Sequence, residues 1–241
     1  MAEENENKYE LLLDESIEVL GTKLFRIRAK CSFGSVESGQ KGGYIEAEKN
    51  LSQENNAWVS GNAEVFGDAE VSGDARVFGD AEVFGDAEVS GDARVFGDAR
   101  VFGDAWVFGD AEVFGNARVF GDARVSGDAR VFGDAWVSGD ARVSGDAEVS
   151  NPSDVLVIGP IGSRNAFLTV IIPSGTASTG CFQGSLDELE GAAKKNERQD
   201  YLDLLPGIRA IVARRKAVTR CSTNTASHQP ASAACMPGPA R

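Results

Sequence analysis

Between Ala57 and Ser150 the chain repeats the hexad Ala-x-Val-Phe/Ser-Gly-Asp/Asn sixteen times, with Ala at 57, 63, 69 and every sixth position to 147. Few folds accept such a chain, because each repeat is too short to bury its own apolar face and must stack on neighbours. Val follows Ala by two residues, so on a strand both side chains point the same way, which must be inward. Gly followed by Asp or Asn supplies the backbone conformations of a tight corner. A strand of this length with a corner at each end closes as a triangle of 18 residues per coil.

The residue after Val carries that longer period independently. In one column it is Ser72, Ser90, Phe108, Ser126 and Ser144. In the second it is Phe66, Phe84, Phe102, Phe120 and Ser138, and in the third Phe78, Phe96, Phe114 and Phe132, bracketed by Ser60 and Ser150. Plain duplication of six residues would not sort them this way; three-sided coils would. The expected architecture is all-β, a three-sided parallel β-helix of a little over five coils, roughly 25 Å tall at about 4.8 Å per coil.

Four segments follow from this frame. Residues 1–56 form an N-terminal tail and β-hairpin cap: residues 1–9 are polar and expected to fray, and Ile17–Leu20 and Leu24–Arg28 flank a turn at Gly21-Thr22. The solenoid occupies 57–152. Residues 153–216 form a small α+β unit closing the far end. Its strands are expected at Val155–Ile158, Ala166–Ile172 and a third running through Cys181-Phe182. Ser185-Leu186-Asp187-Glu188 is a capping box opening a helix to about Asn196. A second helical stretch over 198–215 is expected to break or kink at Pro206-Gly207. Residues 217–241, rich in Ser, Thr, Ala and Pro, read as a disordered tail.

The repeat resembles the hexapeptide-repeat pattern of left-handed parallel β-helices, with the aliphatic residue inside and the small one two positions earlier. The order of cap, Gly42-Gly43-Tyr44-Ile45-Glu46, solenoid and Val155–Asn165 tail is similar to hexapeptide-repeat proteins of bacteria and their prophages. That resemblance implies left-handed coils and a phage or mobile-element setting. It also implies acyltransferase chemistry, which needs a histidine base, or a zinc site with three histidines. The chain has one histidine, His228, in the tail, and no loop interrupts the coils. The expectation is no enzyme, no catalytic residue and no cofactor. Gly159–Arg164 lacks the Gly-Lys-Ser/Thr ending of a phosphate loop and reads as a turn.

The net charge of −13 lies mostly in the repeat, where 19 acids face 7 bases. An acidic rod is not expected to bind nucleic acid, although it could imitate one in front of a nucleic-acid enzyme. Four cysteines without a regular framework, an acidic start and no long apolar run point to a cytoplasmic protein that does not enter a membrane.

Outward residues supply the candidate sites. Asp68, Asp86, Asp104, Asp122 and Asp140 stack on one corner and Asp74, Asp92, Asp110, Asp128 and Asp146 on another; a cation could relieve their repulsion, although one carboxylate per coil is few for calcium. The columns Phe66, Phe84, Phe102, Phe120 and Phe78, Phe96, Phe114, Phe132 are expected to face solvent, a stripe that asks for a cover. On the serine face the residues before Val run Glu70, Glu88, Trp106, Arg124, Arg142. Both columns are symmetric about Trp106 and Phe108, with charge sign inverted end to end. Two copies placed face to face with antiparallel axes would bring Glu70 to Arg142 and Glu88 to Arg124, the self-complementarity of a two-fold homodimer. The expected role is a structural protein that self-associates and presents flat faces to protein partners.

Overall fold

The computed structural model describes residues 7–161 and 165–225. It is a three-sided parallel β-solenoid closed at both ends. Strands β1 (Tyr9–Val19), β2 (Thr22–Ala29) and β3 (Lys41–Ile45) form the N-terminal cap. Sixteen short strands, β4–β19, run from Trp58–Val59 to Glu148–Val149, one per hexad. Strands β20 (Val155–Ile161), β21 (Ala166–Ile171), β22 (Thr176–Thr179) and β23 (Phe182–Ser185) precede helices α1 (Leu186–Lys195) and α2 (Gln199–Thr225).

Within the repeat every ladder pairs residues 18 apart, Val77 with Val95 with Val113 on one face and Val83 with Val101 with Val119 on the next. Every Val of the hexads is fully buried, and so is nearly every Ala. The glycines take the corner, with φ between +62° and +78° throughout the repeat. A side chain at Gly103 would be strained by its φ of +72° and would come within 3.0 Å of Gly121 N. Coil spacing thus forbids a Cβ at the corner as firmly as the dihedral does.

Stacking begins a coil earlier than the hexads. Tyr44 N donates to Ala63 O, Ser52 N to Val71 O, and Ile45 and Leu51 stand over Val65 and Val71. The boundary at 56 marks the onset of regular spacing, and residues 41–56 already form the first, irregular coil. Gly42 and Gly43 allow it to sit this close: a Cβ at Gly42 would lie 2.5 Å from Val59 O, and one at Gly43 2.5 Å from Ala63 O. β1 and β2 then extend one face antiparallel beyond that coil, joined by a tight turn with Leu20 and Gly21 at positive φ.

Lys8 and Tyr9 are not frayed, contrary to the sequence expectation. Tyr9 is fully buried and its hydroxyl donates to Leu51 O at 2.7 Å. Lys8 Nζ donates to Glu54 O, Asn55 O and Ala57 O at 3.0–3.3 Å and lies over the Phe33 ring. These carbonyls belong to the first coil, whose upper edge has no further coil to bond; the ammonium takes that place.

At the other end Asp154, itself buried, accepts from Ser150 N, Asn151 N and Ser150 Oγ at 2.9–3.1 Å and ends the last coil. Strands β20 and β21 carry apolar residues on both faces of the sheet, which explains their largely aliphatic sequences. Val155, Val157 and Ile171 pack on the solenoid core, while Leu168, Val170 and Ile172 pack on the helices.

Four further expectations are corrected here. The stretch over 175–182 holds two strands, β22 and β23, because Gly180 at φ +56° turns the chain between them. β20 continues through Ile161 with a register shift, so residues 159–161 are not a turn; Gly162, Ser163 and Arg164 lie outside the described residues. α2 is not broken at Pro206. Tyr201, Leu205, Ile208 and Val212 keep one buried stripe across the proline, and that burial outweighs the lost backbone bond. The helix also runs on through Thr225, since no Gly or Pro occurs before Pro230. The rest of the expected disordered tail, 226–241 with His228, lies outside the described residues.

Burial lowers the Lys8 pKa from 10.5 to about 8, with Cys31 and Asp74 opposing the shift, and pushes the Tyr9 phenol well above its usual 10. Between about pH 8 and 10.5 the unfolded chain therefore holds more protons at Lys8, so stability rises with pH. Above about 10 the folded chain holds the Tyr9 proton longer, so stability falls. In urea unfolding, wild type should gain stability from pH 8 to 10 relative to Lys8→Met, and both should lose it above 10.

Candidate interaction surface

Below the cap, the residue before each Val is exposed or half-buried on the outer face, and the residue after it mostly lies half-buried at the turn toward the corner. The three faces therefore differ only through these two columns and the corner ladders.

The phenylalanines do not stand free in solvent as expected. Phe66, Phe84, Phe102 and Phe120 stack with centroids 4.9–5.1 Å apart and planes within 6°. Phe78, Phe96, Phe114 and Phe132 stack at 4.8–5.2 Å. Phe66, nearest the cap, is only 6% exposed, and the others are half-buried. Coil spacing nearly equals the thickness of offset-stacked rings, so each ring covers its neighbours' faces and only edges meet water. The two phenylalanine faces thus largely provide their own cover.

On those two faces several of the charges are also paired within the chain. Arg100 reaches Glu82 at 2.8 Å; Arg130 lies between Glu112 and Glu148 at 3.3 and 3.5 Å, and Arg94 is 3.7 Å from Glu112. Trp136 is covered on one side by Phe120 and the Arg118 guanidinium. Glu64, burdened by desolvation and by Glu82 below it, has its pKa raised, with Arg100 opposing.

The serine face is built differently. Its ladder runs Glu70, Glu88, Trp106, Arg124, Arg142 in register. Trp106 separates acids from bases, so no Glu neighbours an Arg. Among the described residues no ion pair involves Glu70, Glu88, Arg124 or Arg142. Arg124 lies over the Trp106 ring at 4.7 Å. Trp106 and Phe108 are 38% and 37% exposed, side by side in the middle of the face. Phe108 has only serines above and below it in its column, so no ring covers it.

The face ends against the C-terminal unit, which the sequence did not foretell. Arg142 N donates to Thr169 Oγ1 at 2.9 Å, and its guanidinium donates to Gly180 O at 2.7 Å. A recess of about 260 Å³ lies over Ser126 and Ser144, between Phe108 above and Phe182 and Gln183 below. Arg142 is therefore committed within the chain, and the expected Glu70–Arg142 contact between two copies has to be replaced by one nearer the centre.

The corner aspartates are solvent-exposed apart from the half-buried Asp140, and each backbone amide at this position can bond the next coil, as Asp86 N does to Gly103 O at 3.0 Å. Among the described residues no three acid, His or Cys side chains converge to hold a metal ion. The column Asp68, Asp86, Asp104, Asp122, Asp140 offers single carboxylates one coil apart. Its first member is instead met by Lys49 at 2.5 Å, whose pKa that bond raises. On the other corners asparagine interrupts the charge: Asn56 Nδ2 donates to Asp74 at 2.7 Å, and Asn62 and Asn116 donate to Asp80 and Asp134 at 3.1 Å. The Asp/Asn choice in the repeat was visible in the sequence; its pairing partner 18 residues on was the signal to follow.

Against known proteins, the family model described as YdcK Beta solenoid repeat matches residues 93–109 and 123–139. Both segments are coils of the repeat. Matched repeat and stacked coils together mark this as a repeat β-helix protein. A search of curated proteins finds no match. No helix among the described residues is long and apolar enough to cross a membrane.

The two aromatic environments should separate in stability measurements. Phe102→Ala, which opens a ring stack, should cost about 2 to 3 kcal/mol in urea unfolding, whereas Trp106→Ala should cost less than about 1 kcal/mol.

Proposed function

We propose that the protein is a non-catalytic structural scaffold that engages other protein surfaces through the faces of its solenoid. The observation that carries this reading is the uninterrupted stack. Sixteen hexads close without an inserted loop, so every outward residue joins a straight ladder of like positions. Such ladders make extended faces. Catalytic sites on repeat folds need loops that gather unlike groups around one substrate, and the coils here gather none. Likeness of the cap–solenoid–tail order to prophage-type proteins supports a phage or mobile-element setting for the scaffold.

Imitation of DNA fits less well. The Glu82–Arg100 and Glu112–Arg130–Glu148 pairs neutralise two faces locally, while a mimic needs a continuous negative one.

Two measurements test the scaffold reading. Titration calorimetry with acetyl-CoA should give no saturable heat, and a stoichiometric isotherm would overturn the non-catalytic assignment in favour of an acyltransferase. A pull-down from the native host should retain a stoichiometric protein that is lost when a solenoid face is recharged, as in Arg118→Glu with Arg100→Glu. Retention unaffected by recharging any of the three faces would move the binding site off the solenoid.

A further inference from the structure

We infer that the serine face of the solenoid docks on the same face of a second copy of this chain, with the two solenoid axes antiparallel and Trp106 and Phe108 at the two-fold axis. This rests on the scaffold reading and names one of its partners. Three independent features of the face converge on it.

The first is unspent charge. On the other two faces Arg94, Arg100 and Arg130 pair with glutamates one coil away, but the serine face segregates its charges on either side of Trp106. Glu70 and Glu88 stack on each other, as do Arg124 and Arg142. Like charges at coil spacing repel, and the chain supplies no ion-pair partner for any of the four. A surface with an acidic half and a basic half is neutralised best by its own image turned end for end. Rotation about an axis along the strands, at the level of Trp106, brings Glu88 of each copy to Arg124 of the other.

The second is the position of the exposed rings. Elsewhere the phenylalanines are stacked and Trp58 is buried beneath the cap at 4% exposure, while Trp136, 48% exposed, is met by Phe120 and Arg118 near the end of its column. Trp106 and Phe108 occupy the one coil where the charge pattern puts the symmetry axis. Serines flank Phe108, so a facing backbone can approach closely around the aromatic centre. Aromatic centre and polar surround are the usual division of labour in a protein interface.

The third is the boundary of the face. Gly180 and the turn between β22 and β23 stand at its lower end and hold Arg142. They restrict docking to the upper coils and leave the Glu88–Trp106–Arg124 stretch as the contact. That stretch, with the serine column, covers only a few hundred Å² per copy, below the ~800 Å² per partner of standard interfaces. The dimer is accordingly a weak and reversible one, appearing at micromolar to tens-of-micromolar concentration and loosened by salt.

Light scattering and sedimentation velocity on the full chain across this range should show a monomer–dimer equilibrium. Trp106→Ala with Phe108→Ser should weaken it at least tenfold, as should Glu88→Arg or Arg124→Glu alone, each of which sets like charges across the axis. The double exchange Glu88→Arg with Arg124→Glu should restore it. Circular dichroism and urea midpoints checked against wild type separate lost docking from lost folding.

A strict monomer at every concentration overturns the inference. So does a dimer indifferent to the aromatic pair, or a failure of the double exchange to rescue. Those outcomes leave the scaffold reading intact, because host-partner retention is read on the native chain and on the other faces. If host-partner retention is absent while the dimer forms as described, the scaffold's partner is the second copy alone.

Discussion

Coil-to-coil hydrogen bonding fixes almost everything else in this molecule. Each coil lends its amides and carbonyls to the coils on either side, so residue n always stands over residue n + 18. Registry of that kind turns a linear alphabet into columns. Valine stacks on valine inside, glycine on glycine at the corner, and the outward positions inherit whatever follows at the same step. Glycine is required at the corner by its φ and by the approach of the next coil together, which explains why that position never varies until the last hexad.

Because like positions stack, each residue type meets a particular fate. Phenylalanine at coil spacing becomes a self-covering stack, so an apolar column is tolerated in water. Aspartate at the same spacing becomes a repulsive column, tolerated only because it stands on exposed corners and is interrupted by asparagine or met by Lys49. The open ends cannot be solved by repetition, since the last coil has no neighbour. Non-repeating residues do that work: Lys8 and Tyr9 at one end, Asp154 and the two-sided β20–β23 sheet at the other.

This division sets how much could be read from the sequence. The repeat was legible because its period, its buried pair and its corner are encoded locally and sixteen times over. The sorting of Ser and Phe even revealed three faces. The caps were less legible because their decisive contacts are single and long-range. Lys8 reads as part of a polar tail until the carbonyls of residues 54, 55 and 57 are seen around it. Pro206 reads as a break until the buried stripe on both sides of it is known. The candidate face was half legible: the charge inversion about Trp106 is a sequence pattern, but the hold of Gly180 on Arg142 comes from a segment 38 residues away. The exposure expected of the phenylalanines failed for a related reason. Alternation along one strand predicts outward rings correctly and says nothing of the identical ring one coil above.

The contrast among the three faces carries the functional argument further than any one of them. All are built from the same hexad, with the same interior and corners, so the differences between them owe nothing to the demands of folding. A Glu beside an Arg in a ladder lowers the energy of an isolated chain by a few tenths of a kcal/mol, and two faces take that small gain. The serine face forgoes it on both sides of Trp106 and leaves Phe108 without the ring stacking enjoyed by the phenylalanines of the other faces. Stability of the single chain offers no return for that arrangement. A surface that leaves its charges without ion pairs and Phe108 without a covering ring, in an order that matches its own reverse, is accounted for when its other half is another molecule of the same chain.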